Sequence, residues 1–155
     1  MFGVPVDAWY TWLGLSLASI ALVGVGAALP TAPPPAAADA ADTVDRAAAT
    51  AHPATAEQPL DAEAIRITPR ELGLRNDAGT THATFAFGPV TPAGRTAALT
   101  DVLRGAPPAS RFDSDAGLCD AAAAARATPS SWRPVDGPLI VRHVVWGECD
   151  VTLVG

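Results

Sequence analysis

The chain has 155 residues, 10 basic against 16 acidic, for a net charge of −6. That length allows one domain of modest size plus a terminal segment. The acidic balance, without a basic patch, argues against nucleic acid as a partner, because phosphate binding needs clustered positive charge.

All ten basic residues are Arg, and the chain carries 15 Pro and 13 Gly. A GC-rich genome explains this usage. An acidic surface that keeps a protein soluble in brine explains the charge, and the two readings are compatible.

In chain order, residues 1–8 form an N-terminal tail. From Trp9 to Leu29 no side chain is charged. A helix over that stretch reaches about 31 Å, close to the thickness of a hydrocarbon core. The expectation is an uncleaved, single-pass transmembrane helix over 9–29, with membrane lipid as a partner. Trp9, Tyr10 and Trp12 are its membrane-interface anchors. Cleavage near "AALPTA" is the alternative, opposed by Asp7 and by the lack of Lys or Arg in the first twelve residues. Small residues such as Gly14, Ser16 and Ser19 suit helix association. The short N-terminus is the easier end to leave inside, which places the C-terminal part outside the cytoplasm at the cell membrane.

Residues 30–59 read as a Pro/Ala-rich linker. "PTAPPPAAADAAD" favours an extended spacer, and a short helix follows with Asp42 or Thr43 as its cap. The domain is expected over 60–155. In "AIRIT" and "ELGLRN" the apolar residues alternate, with Ile65 and Ile67, then Leu72 and Leu74, on one face. "NDAG" is a turn signal, so residues 71–88 read as a hairpin. "TAALTDVLRG" is a helix capped by Thr96 and stopped by Gly105. "DSDAGLCDAAAAARA" is a second helix, capped by Asp113 or Ser114, with Asp115 in its first turn. Leu139–Trp146 and Cys149–Val154 form a second hairpin about Gly147 and Glu148. The fold class is α+β: a small antiparallel sheet with two helices packed on one face, behind the transmembrane helix.

Cys119 and Cys149 are candidates for one disulfide in an exported domain. Two buried thiols are the alternative. Two Cys without CxxC spacing and three scattered His make no recognisable metal set. His52, His82 and His143 have no nucleophile beside them in sequence, and no GxSxG, P-loop or GxGxxG appears. No catalytic, cofactor-binding or metal residue is assigned, and the chain is not expected to be an enzyme. Val151 and Leu153 on the last strand are the candidate interaction edge.

The segments "VPVDAWYTWLGLSLASIALVGVGAALPTAPPP", "GLRNDAGTTHATFAFGPVTP" and "CDVTLVG" together resemble an uncharacterised family of small single-pass membrane proteins from halophilic archaea. The resemblance runs along most of the chain. It implies an accessory role beside type IV pilus-like or secretion machinery, and brings no known activity or functional residues. The function expected is therefore a membrane-anchored accessory or structural protein whose exterior domain contacts protein partners. The alternative is an exported enzyme or small-ligand binder, with polar groups converging near His82 or His143.

Overall fold

The computed structural model describes the backbone over residues 6–27 and 33–155, and side chains over 9–21 and 33–155. It divides into two units, Met1–Pro33 and Pro34–Gly155.

In the first unit, α1 runs over Val6–Ala27. Its described side chains, Trp9 to Ala21, are all exposed, among them Trp9, Tyr10, Trp12, Leu15 and Ile20. Ser16 and Ser19 turn their hydroxyls back onto the carbonyls of Trp12 and Leu15, at 2.9 Å each. Among the described residues no helix is long and apolar enough to cross a membrane. The expected transmembrane helix over 9–29 is thereby corrected. In the described stretch Trp9–Ala21, the polar or weakly apolar Tyr10, Thr11, Gly14, Ser16 and Ser19 dilute the apolarity that a span requires. Ala28 and Leu29 lie outside the described residues.

The second unit is α+β and contains two sheets, where the alternation of the sequence suggests one. Sheet A has the order β1 (Ala54–Gln58), β7 (Leu139–Trp146), β8 (Cys149–Val154), β5 (Thr91–Pro92). Sheet B has the order β4 (Gly79–Thr84), β3 (Glu71–Asn76), β2 (Ala64–Ile67), β6 (Arg133–Pro134). All pairs are antiparallel except β5 with β8. Three helices accompany them: α2 (Ala37–Ala48), α3 (Ala97–Leu103) and α4 (Asp115–Ala127).

Period-two alternation on the central hairpin divides the interior into two cores. Cys149, Val151 and Leu153 of β8 join Val144 of β7 beneath α3 and α4, against Leu99, Val102, Leu118 and Ala122. Leu139, Val141 and Val154 face the other way. There they meet Ala40, Val44 and Ala47 of α2 and Ile65, Ile67, Leu72 and Leu74 of sheet B. The linker expected over 30–59 is thus part of the fold from Pro34 on. Pro35 is buried and its carbonyl accepts the Thr81 hydroxyl at 2.6 Å. The α2 carboxylate of Asp45 accepts the backbone N–H groups of Ala86 and Phe87, at 3.0 and 2.9 Å, and so holds the segment that leaves β4.

Local signals set the ends of α3 and α4. The Thr96 and Ser114 hydroxyls accept the N–H groups of Leu99 and Gly117, at 3.3 and 3.2 Å, satisfying donors that the first turn of a helix leaves free. Arg142 of β7 reaches the other end of α3 and donates to the carbonyls of Val102 and Ala106. Cys119 of α4 and Cys149 of β8 are joined by a disulfide, their Cα atoms 5.7 Å apart.

Candidate functional site

The outer face of sheet B carries a cluster of polar and aromatic side chains. The residues of "ELGLRN" that alternate with Leu72 and Leu74, namely Glu71, Gly73 and Arg75, point away from the core. Register sets Arg66 of β2, Gly73 of β3 and His82 of β4 in one row across the strands. Gly73 leaves a gap in that row, and Trp132, from the segment after α4, lies in it. A Cβ on Gly73 would stand 3.0 Å from both Trp132 Cη2 and His82 Nδ1.

Charged groups lie close to the ring. The guanidinium carbons of Arg66 and Arg75 lie 5.3 and 5.0 Å from its centroid, within cation–π range. The His82 ring meets it edge-on, with centroids 6.1 Å apart. The Glu71 carboxylate holds Arg66 Nη2 at 3.1 Å and stands 2.9 Å from His82 Nδ1. Arg66 Nε is buried without a hydrogen-bond partner. The result is a half-buried indole with two guanidinium groups within cation–π distance. Its chemistry is recognition: it offers a flat apolar surface beside guanidinium groups that match carboxylates.

The other residues singled out by the sequence lie elsewhere. His52 is exposed, in the segment between α2 and β1. His143 is only 3% exposed on β7. Its Nδ1 is 3.1 Å from the Thr152 hydroxyl, and the Asp150 carboxylate stands 3.5 Å from Nε2. An open depression of about 350 Å³, walled by Phe87 and Pro89, borders these groups. Thr152 and Asp150 thus face the two ring nitrogens from the same strand, which orients the imidazole.

Val151 and Leu153 require a correction. The sequence makes β8 the last strand in order, and hence an edge, but β5 pairs beside it at Leu153 and Val154. The side chains of Val151 and Leu153 are 4% and 0% exposed, turned under α3 and α4. Trp9, Tyr10 and Trp12 lie on α1, 67–69% exposed. Trp132 is the residue that sequence reading missed. Its signal was indirect: a Gly flanked by Glu71 and Arg75 on the polar face of a strand, a place where something must cover the backbone.

Among the described residues no group of three or more His, Cys, Asp or Glu is placed to hold a metal ion. Fold and site together define a disulfide-bonded, two-sheet α+β domain with a tryptophan–arginine cluster on one outer face. The chain belongs to a family of unknown function (DUF7283), whose model matches residues 3–144. No curated protein and no solved structure matches it.

Proposed function

We propose that the Pro34–Gly155 unit is an exterior domain that acts by binding, docking an acidic segment of a protein partner onto the Trp132 face of sheet B. The observation that carries this reading is the half-buried Trp132 ring within cation–π distance of both Arg66 and Arg75. Trp and Arg are the residue types enriched among the few side chains that dominate binding energy. The chain is acidic overall and Glu71 already holds Arg66, so the Arg75 guanidinium beside an apolar ring gives this face a local preference for carboxylates.

The disulfide supports an oxidising compartment, and hence a location outside the cytoplasm. The resemblance to small membrane proteins of halophilic archaea supports a role as an accessory or structural component of a type IV pilus-like or secretion assembly. In this reading the exposed rings of Trp9, Tyr10 and Trp12 meet membrane lipid at the headgroup level.

The test is site-specific photo-crosslinking of the full chain in its own cells. One probe replaces Thr84, exposed at the rim of the Trp132 face, and the other replaces Ala123, exposed on α4. The expected outcome is a discrete product from position 84 only, lost on Trp132→Ala, whose second component is a surface-assembly protein with an acidic segment at the crosslink. Identical products from both positions, or a product indifferent to Trp132, would overturn the reading.

A further inference from the structure

A second cluster, on the other side of β6, has different chemistry. Arg133 leaves sheet B at its edge, and its guanidinium lies across Gly94 so closely that a Cβ there would collide with Nη1. The side chain is half-buried. Among the described residues it has no hydrogen bond and no ion pair. Burial first, and then the charge of Arg95, hold this guanidinium below its ordinary pKa, while Asp136 offsets part of the effect. Arg95 is itself fixed by donating to the Pro129 carbonyl at 2.8 Å. A half-buried cation beside a second cation, only partly offset by Asp136, is stabilised when a further anion joins it.

The space beside Arg133 is a cleft of about 250 Å³. Its lining combines Leu60, Leu103, Pro138 and Ile140 with three charged groups, two of them cationic, Arg104 and Arg133, and one anionic, Asp136. A pocket with apolar walls and a few convergent polar groups is the usual form of a small-molecule site. We propose that this cleft binds a small aliphatic carboxylic acid, its carboxylate on Arg133 and its chain against Leu60, Leu103 and Pro138.

Two features select that class. A guanidinium fork matches the two oxygens of a carboxylate in one plane. An inorganic oxyanion could use only the guanidinium groups, whereas a hydrocarbon tail also gains by burying its surface against Leu60, Leu103 and Pro138. The volume lies below the range of drug-sized pockets, which points to a chain on the order of four to six carbons. This site is separate from the Trp132 face and does not depend on the reading given to it.

The experiment is NMR titration of the full chain, disulfide intact, following the amides of Gly94, Gly137 and Gly155, which line the cleft. The probes are hexanoate, hexanamide and inorganic phosphate. Hexanoate is expected to shift these amides saturably, with a Kd in the roughly millimolar range for so small a ligand. Hexanamide and phosphate should each bind about tenfold more weakly, the first lacking the charge and the second the tail. Arg133→Gln should weaken hexanoate binding by about tenfold with the rest of the spectrum unchanged. If that variant loses its folded spectrum, the contrast between hexanoate and hexanamide on the natural chain decides alone. Hexanoate shifts that do not saturate, or equal binding of hexanamide or of phosphate, would overturn the proposal.

Discussion

Asp115 shows how one side chain serves two levels of structure. The sequence places it in the first turn of a helix, where the dipole favours a carboxylate. The structure adds a partner 33 residues away: Oδ2 accepts the N–H of Glu148 at 2.9 Å, while Oδ1 accepts that of Ala116 at 2.9 Å. Gly147, at φ +61°, lets the β7–β8 turn come down onto this carboxylate, in a conformation that side chains resist. Hydrogen bonding to the backbone of Glu148, and then of Ala116, favours the charged form and holds the Asp115 pKa below its ordinary value. The folded pKa is depressed, so the stabilisation is fully present above the unfolded pKa of about 3.9 and is lost as pH falls through the folded value. Asp115→Ala should therefore lower Tm at neutral pH, and the gap to the natural chain should close as pH falls below about 4. A gap that stays constant across thermal melts at several acid pH values would show that the carboxylate charge is not what clamps the turn.

At the scale of elements, legibility followed length and contrast. The β7–β8 hairpin was readable because eight residues from Leu139 to Trp146 are nearly all apolar and a Gly-containing turn follows. Helices α3 and α4 were readable from Thr96, Ser114 and Gly105. Strands β5 and β6 have two residues each, too few for an alternation to register. Helix α2 was placed too late because "AADAADTVDRAA" buries mostly alanine methyls and so resembles a linker. Period two tells which residues share a face but not which strand lies alongside, and hence the second sheet and the covered edge of β8 were not visible. The Trp132 site shared that limit, since its parts come from three strands and a loop. The disulfide ties two such elements, α4 and β8, across 30 residues. Closing a loop of that length in the unfolded chain is worth about 3–4 kcal/mol. The double substitution Cys119→Ala with Cys149→Ala should lower the urea unfolding free energy by about that amount. Reductant should lower the natural chain's stability and leave the double variant's unchanged; equal sensitivity of both would refute the assignment.

For the molecule as a whole, the question is where the folded unit begins. Composition suggests Leu60, after the last of the prolines that follow the apolar segment. Packing gives a different answer. Ala37, Ala40, Ala41, Val44 and Ala47 of α2 are all buried, and four of them join the core shared with both sheets. β1 pairs five residues with β7, from Ala54 opposite His143 to Gln58 opposite Leu139. A chain started at residue 60 would leave Leu139 and Val141 without these neighbours and open the β7 edge to water. The lost apolar burial from α2 alone is on the order of 5 kcal/mol, at about 0.8 kcal/mol per methyl-sized group and more for Val44. Total stabilities of domains this size are about 5–15 kcal/mol, so the deficit is comparable with the whole margin. A fragment spanning 34–155 is therefore expected to unfold in urea through one cooperative transition with dispersed amide resonances. A fragment spanning 60–155 should show no cooperative transition and should bind a hydrophobic dye, because sheet A and sheet B would each expose the face that α2 covers. A sharp, dye-free transition in the shorter fragment at comparable midpoint would mean that α2 and β1 rest on a core already complete without them.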